Sequence, residues 1–271
     1  MRLINRKPGR LLAVALVLLP FLAVILVYSV ASDIRRAENP RDKLLPAPGQ
    51  IVATAHRLFT EPDRRSGRIL ILDDTIDSIQ RLRLGVALAA LIALVLGLII
   101  GLIPLVRAGL EPFVGVLSMI PPLALLPILF ITLGIGEASK VALIIIGIAP
   151  IMTRDLALRV REIPVEMIVK AQTLGASTLA IALSVVLPQI LPRLFTAVRL
   201  GLGPAWLFLI AAEAVASESG LGYRIFLVRR YLAMDIILVY VAWITVLAVF
   251  IDFSLRRISA FLFSWAGEAA R

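Results

Sequence analysis

The sequence predicts an all-α membrane protein with six transmembrane helices and both termini on the cytoplasmic side. Three observations lead there. Of 271 residues, 60% are hydrophobic and 17% are Asp, Glu, Lys or Arg, with a mean hydropathy of +0.98; soluble domains carry about 45–50% apolar and roughly 25% charged residues. Uncharged runs long enough to cross a hydrocarbon core recur along the chain. Outside the long first connection, Lys and Arg gather in alternate connections between those runs. This composition excludes a soluble enzyme and a disordered or fibrous chain. In a soluble protein the net charge of +10 would suggest nucleic acid; basic loops facing lipid headgroups account for it here, and no nucleic-acid partner is expected. With no cysteine there is no disulfide framework, thiol catalysis or thiolate metal site, and the single histidine, His56, leaves no motif that needs two imidazoles.

The run from Leu11 to Ser32 carries no charge and is preceded by Arg2, Arg6, Lys7 and Arg10. Basic residues before an apolar run also mark a signal peptide, and Ser29-Val30-Ala31 resembles a cleavage site, but the run exceeds the usual apolar length of a cleaved signal. It reads as a retained first helix. The connection to the second span holds Leu45-Pro46-Ala47-Pro48 and an amphipathic stretch from Gln50 to Phe59, with Ile51, Val52, Ala55 and Leu58 at helical spacing and His56 on the polar side. The uncharged runs from Leu84 to Val106 and from Pro112 to Gly136 are the second and third spans, each of membrane-crossing length. Pro121, Pro122 and Pro127 should bend or break the third, either to line a path or as a structural kink. Gly97-x-x-x-Gly101 in the second would allow close helix approach.

Val141 to Thr153 is a shorter uncharged run, a fourth span completed by Ala138 and Ser139 at one end and Asp155 and Leu156 at the other, with Lys140 snorkelling outward. Phe195 to Ser217, apolar but for Arg199 and Glu213, is the fifth, and Tyr231 to Leu255 around the run Ile236–Ile251 is the sixth. Ala171 to Pro192 is a competitor, uncharged throughout and as long as the first span. Its polar residues and the prolines Pro188 and Pro192, which would break the backbone ladder in lipid, favour a cytoplasmic segment that runs along the membrane surface before climbing into the fifth span.

These spans divide the chain into a cytoplasmic N-terminus with the first helix (1–32), a periplasmic loop with short helices (33–83), a five-helix core (84–258) with a cytoplasmic loop at 157–192, and a cytoplasmic tail (259–271). Thirteen basic residues then fall in cytoplasmic segments and four in the short outer loops. The long first loop holds ten more, with eight acids, and long loops translocate largely regardless of charge.

The segment from Arg161 to Pro192 carries the functional signal. Pro164, Glu166 and an apolar run start one short helix; Gly175, Ala176 and Ser177 break it; a second apolar run ends at Leu187-Pro188. Ala171, Gly175, Val185 and Leu187-Pro188 match a pattern of Glu-Ala-Ala, three residues, Gly, nine residues, Ile, one residue and Leu-Pro, departing from it at Val169 and Lys170. On these residues the chain resembles the membrane subunits of binding-protein-dependent ABC importers. Further segments, from Leu45-Pro46-Ala47-Pro48 through Ile120-Pro121-Pro122-Leu123-Ala124, Leu133 to Lys140, Thr173 to Ser177, Arg199 to Gly203, Ala205-Trp206 and Ala212-Glu213 to Ser219-Gly220-Leu221-Gly222-Tyr223, resemble its nitrate, sulfonate, taurine and bicarbonate permease branch, over roughly residues 44 to 258.

The resemblance implies the type I importer fold and a permease in a bacterial inner membrane. It implies a second membrane subunit, taken as identical; a cytoplasmic ABC ATPase dimer; a periplasmic or lipid-anchored binding protein that delivers a small anionic, sulfonate- or nitrate-like solute; and the bilayer itself. The loop helices around Glu166, Lys170, Ala171, Gly175, Ala176 and Ser177 would engage the ATPases. The chain has no G-x-x-x-x-G-K-[ST] loop of its own, so no cofactor is expected in it, and ATP and magnesium would belong to the partner ATPase.

Other residues keep two readings each. Glu213, a charge at membrane depth, faces either a path or a structural partner. Arg199 lies roughly 21 Å from it along a helix, so the two cannot pair; it lines the path or snorkels. Trp206 lines the path or packs, as Pro121 and Pro122 line it or only kink. Glu137, Lys140, Glu218, Arg224, Arg229 and Arg230 form mixed charges in two short outer loops, which suit either a docking surface for a binding protein or headgroup anchoring. A stand-alone secondary transporter or channel is the rival class, for which Glu213 and Arg199 are few intramembrane charges. A membrane enzyme lacks a cluster of nucleophile, base or metal ligands.

Overall fold

The computed structural model describes residues 9–39, 43–63 and 66–265. Arg2, Arg6, Lys7 and the end of the tail with Arg271 lie outside the described residues. Every regular element among the described residues is helical. In order they are α1 (Arg10–Glu38), α2 (Pro48–Thr60), α3 (Leu70–Leu102), α4 (Pro104–Leu117), a 3₁₀ turn (Pro122–Leu125), α5 (Leu126–Leu133), α6 (Glu137–Arg161), α7 (Val165–Thr173), α8 (Thr178–Ile181), a π turn (Ala182–Val186), α9 (Leu187–Ala216), α10 (Leu221–Arg229) and α11 (Met234–Leu262). The helices α1, α3, α6, α9 (with α8 and the π turn) and α11 are each long and apolar enough to cross a membrane, and α4 with the segment Pro122–Leu133 passes the same test as a pair bent by 82°, a sixth candidate.

The centre of the bundle is α3 against α6. Gly85, Ala89, Ala93, Gly97 and Gly101 recur every fourth residue of α3 and are all buried. That spacing lines up one face of a helix and brings backbones close, as small residues do in membrane bundles. A Cβ on Gly85 would lie 2.8 Å from the Ile144 Cβ, one on Gly97 2.8 Å from the Leu156 Cβ, and one on Gly101 would overlap Val160. The Gly97/Gly101 pair read from sequence is thus the end of a longer stripe. On the next face of α6, Gly147 admits the Phe208 ring of α9. Leu143, Ile144, Leu156, Leu209 and Tyr240 fill the shared core.

The structure corrects several expectations. The helix that carries the second span begins at Leu70, ahead of the uncharged run, with Asp74 and Arg81 neutralised inside the bundle; residues 70–83 are continuous helix with it. Pro188 and Pro192 do not break the climb into α9. Pro188 sits in its first turn, where a missing N–H is harmless, after a π turn that reshapes the hydrogen-bond ladder. The Gln189 side chain supplies a donor to the Val185 carbonyl at 2.8 Å. The amphipathic stretch is α2, but it buries Thr54, bonded to Asp235 at 2.8 Å, and leaves Val52 exposed. His56 is on the exposed side as expected.

The first helix stands apart. Within this chain α1 buries only Ser32, and its C-terminal part is tied to the Leu45–Pro46 stretch by Ser32 Oγ–H to the Leu45 carbonyl (3.0 Å) and Tyr28 O–H to the Pro46 carbonyl (2.8 Å). The third span breaks where the prolines predict. Residues 118–121 interrupt it, Pro121 is extended, and Pro122 opens the 3₁₀ turn.

Candidate functional site: a helical elbow and a buried ion network

At one end of the bundle, α7 and α8 form an elbow whose shape follows from three local hydrogen bonds. The Gly175 N–H donates to the Gln172 carbonyl (2.9 Å) and the Ala176 N–H to the Ala171 carbonyl (3.0 Å). These are the two bonds of a Schellman C-cap, which sets a left-handed residue just past the helix. Gly175 adopts φ +82, a conformation open to glycine at little cost. Two residues on, Ser177 Oγ accepts the Ala180 N–H at 3.2 Å and starts α8. The spacing of Ala171, Gly175, Ala176 and Ser177 therefore encodes a stop, a turn and a restart.

Glu166 in the first turn and Lys170 in the last turn of α7 each suit the helix dipole. Both are exposed, and so are Met167, Val169, Leu174 (83%) and Leu179. Ala171 and Ala176 lie against the core. The elbow thus presents apolar side chains together with one acid and one base.

The opposite end holds a network that the sequence reading missed in part. Asp74, Ser78 and Arg81 lie at helical spacing on one face of α3. Arg81 Nη1 donates to Glu213 at 2.7 Å and to the Ser219 carbonyl at 2.9 Å, and its Nη2 reaches Glu137 at 2.9 Å. Glu213 is fully buried and also accepts from Ser78 (2.8 Å) and the Gly222 N–H (2.8 Å). Asp74, 1% exposed, accepts from Arg224 (2.8 Å), Tyr240 (3.0 Å) and the Gly220 N–H (3.1 Å). The Leu221 N–H donates to Ser78 at 2.8 Å.

Three side chains thus satisfy the first N–H groups of α10, which the helix itself cannot pair. Gly220 has φ +116, and a Cβ there would fall 2.5 Å from the Glu213 carboxylate; a Cβ on Gly222 would meet the Ile210 backbone. This is the physical content of Ser219-Gly220-Leu221-Gly222. Burial opposes the charge on Arg224, but its bonds to Asp74 and the field of that carboxylate outweigh it, so its pKa lies above the ordinary arginine value.

These contacts sort the remaining candidates. Glu213 is in a structural pairing, with Arg81. Lys140 is buried, donating to Glu137 (2.9 Å) and Ser217 (3.1 Å), and Arg224 is committed to Asp74; neither is an exposed loop charge or a snorkelling one. Glu218, Arg229 and Arg230 do lie at the surface, with Arg229 over the Phe226 ring at 4.9 Å. Arg199 does not snorkel: it pairs with Asp252 at 2.8 Å, and Asp252 also binds Arg256 at 3.0 Å. Trp206 is packed in the core, and its Nε1 meets no acceptor among the described residues. Pro121 and Pro122 mark the break in the third span rather than a contact with Glu213 or Arg199. Asp74, Ser78, Arg81, Tyr240 and Asp252 were not singled out from sequence; the i, i+4, i+7 spacing of the first three was the available signal.

Five to six candidate spans around a close-packed helix pair, with a capped elbow at one end and an ion network at the other, define a multi-pass helical membrane protein. Comparison with known proteins gives the family. Residues 75–264 match the family of binding-protein-dependent transport system inner membrane components, and the chain belongs to it. It is 38% identical over 192 residues to the taurine transport system permease protein TauC of Escherichia coli strain K12, covering 70% of each chain. It is 29% identical over 217 residues to the nitrate import permease protein NrtB of Synechococcus elongatus, covering 76% of this chain and 75% of that one. A solved structure of the MetNI methionine ABC transporter superposes with a TM-score of 0.63 at 21% identity, covering 70% of this chain and 94% of that chain. The protein is a multi-pass inner membrane permease of an ABC importer, which works with an ATPase and a substrate-binding protein.

Proposed function

We propose that this permease carries a small oxyanion-bearing solute of the sulfonate or nitrate kind, that a second, identical copy completes the path, and that the α7–Gly175–α8 elbow is where the ATPase engages. On this reading the elbow faces the cytoplasm and the α10 end faces the periplasm. The solute class rests on relatives named for taurine and nitrate. The elbow assignment rests on one observation: a rigid, capped turn exposing Met167, Val169, Leu174 and Leu179 beside Glu166 and Lys170, at a helix junction with nothing of this chain against it at Gly175. An exposed apolar patch rimmed by charges marks a protein contact. Glu137, Glu218, Arg229 and Arg230 at the other end are the exposed charges left to steer the binding protein, since charge sets encounter rate.

The experiment is Gly175→Leu against Gly175→Asn. Asn tolerates a left-handed conformation and a γ-branched leucine tolerates it poorly. Gly175→Leu should leave membrane insertion intact while lowering ATPase co-purification or binding-protein-stimulated hydrolysis, and Gly175→Asn should retain both. Normal assembly and normal stimulated hydrolysis in Gly175→Leu would reject the assignment. For the outer surface, Arg229→Glu with Arg230→Glu should reduce stimulation by loaded binding protein and spare basal hydrolysis. Unchanged stimulation across a salt series would leave headgroup anchoring as the role of these arginines.

A further inference from the structure

Between α4 and α6, at the end of the bundle that carries the elbow, lies a cavity of about 530 Å³ whose wall includes Arg107, Glu111, Thr153 and Arg154. Its charges do not balance. Arg154 is exposed and gives one Nη1–H to Ser118 Oγ at 2.9 Å. Arg107 is half-buried, with Nε donating to the Ile100 carbonyl at 3.2 Å and Nη2 to the Gly101 carbonyl, both in the last turn of α3. The carboxylate on the wall, Glu111, is held by Arg161 at 3.2 Å, and Asp155 faces Arg159 at 3.5 Å. Among the described residues neither Arg107 nor Arg154 forms an ion pair, whereas the neighbouring Arg159 and Arg161 both do.

Two guanidinium groups therefore border one cavity with most of their five N–H donors uncommitted. The planar fork of arginine matches the oxygens of phosphate and sulfonate groups. Two cations with no acid of their own, beside a space that admits a tetrahedral group, form a binding site for an anion. The Arg107 bonds to the α3 carbonyls fix that side chain in place and leave Nη1 free. The Ser118 bond ties Arg154 to the break between α4 and α5.

We propose that this cavity binds one oxyanion, a phosphate, sulfonate or sulfate group, held between Arg107 and Arg154. Two sources supply that chemistry. One is the phosphate of an anionic lipid, since basic pockets between membrane helices take up such headgroups. The other is a free oxyanion solute. The site stands whichever solute the importer carries and whichever face of the membrane the elbow occupies.

The test uses the full-length transporter. In one arm it is reconstituted in vesicles of phosphatidylethanolamine and phosphatidylglycerol, returned to detergent, and its retained lipids are identified by native mass spectrometry. In the other arm sulfate is titrated calorimetrically into lipid-depleted protein in neutral detergent. Arg154→Gln should lower retained phosphatidylglycerol or sulfate affinity by about fivefold, the loss expected for one basic contact; Arg154→Lys should lose less. The arm that responds names the source. Arg154 is exposed, so an unchanged thermal midpoint separates lost binding from misfolding. Arg257→Gln, at the same end of the bundle and stacked on Phe253 at 5.1 Å, should change neither arm. No difference between wild type and Arg154→Gln in both arms, or an equal loss in Arg257→Gln, overturns the proposal.

Discussion

Glu213 and Arg81 form a buried ion pair: Arg81 is the one cation on Glu213 among the described residues, while Arg81 also binds the more exposed Glu137. Removing one partner of such a pair leaves an uncompensated charge, at a cost of about 3–5 kcal/mol, whereas replacing both with apolar residues is far milder. Arg81→Leu should therefore lower the unfolding midpoint in detergent more than the double variant Arg81→Leu/Glu213→Leu does. Glu213→Gln should fall between wild type and Arg81→Leu, since an amide keeps acceptors for Ser78 and the Gly222 N–H. A double variant no more stable than Arg81→Leu would mean that Glu213 left without Arg81 carries no such cost. The residue scale is also where sequence legibility was poorest. Glu213 is conspicuous in an apolar run, but its partner lies 132 residues earlier, and Arg81 was one of the ten basic residues of the connection 33–83.

At the scale of the element, legibility depended on whether the deciding interaction was local. The α7–α8 elbow was readable because its caps are bonds between neighbours: Ala171 to Ala176, Gln172 to Gly175 and Ser177 to Ala180. The start of α3 was not, because its charges are solvated by α9, α10 and α11 rather than by water. The passage of α9 through Pro188 and Pro192 was not either, because Pro188 falls in the first turn of α9, just after a π turn that resets the ladder. The α3–α6 contact gives a clean prediction. Gly97→Leu places its side chain against Leu156, in a junction with no room for a methyl group. Overpacking of this kind costs typically about 1–3 kcal/mol or more. Gly115, on α4, has nothing near its would-be Cβ. Gly97→Leu should lower the thermal midpoint and the yield of monodisperse protein, and Gly115→Leu should not. Equal effects of the two would remove the claim that close approach of α3 and α6 sets the stability of the bundle.

For the whole molecule, the six crossings followed from charge gaps and proline positions, since lipid imposes one rule on every span: backbone groups must be satisfied internally. Which end faces the cytoplasm is a separate question, and the basic-residue counts answer it only if the long first connection is set aside. The chain lends itself to a direct measurement because it has no cysteine, so each introduced thiol is the only one present. Leu174 on the elbow and Trp265 after α11 are exposed at one end of the bundle; Glu218 and Tyr231, flanking α10, are exposed at the other. Leu174→Cys and Trp265→Cys should react with a membrane-impermeant maleimide only after cells are opened. Glu218→Cys and Tyr231→Cys should react in intact cells, or in spheroplasts where an outer membrane blocks the reagent. A reporter fused after Arg271 should agree with Trp265. Labelling of Leu174→Cys in intact cells would invert the molecule, put the elbow out of reach of a cytoplasmic ATPase and sink the coupling assignment. Opposite sidedness of Leu174→Cys and Trp265→Cys would mean that α9 and α11 do not both cross.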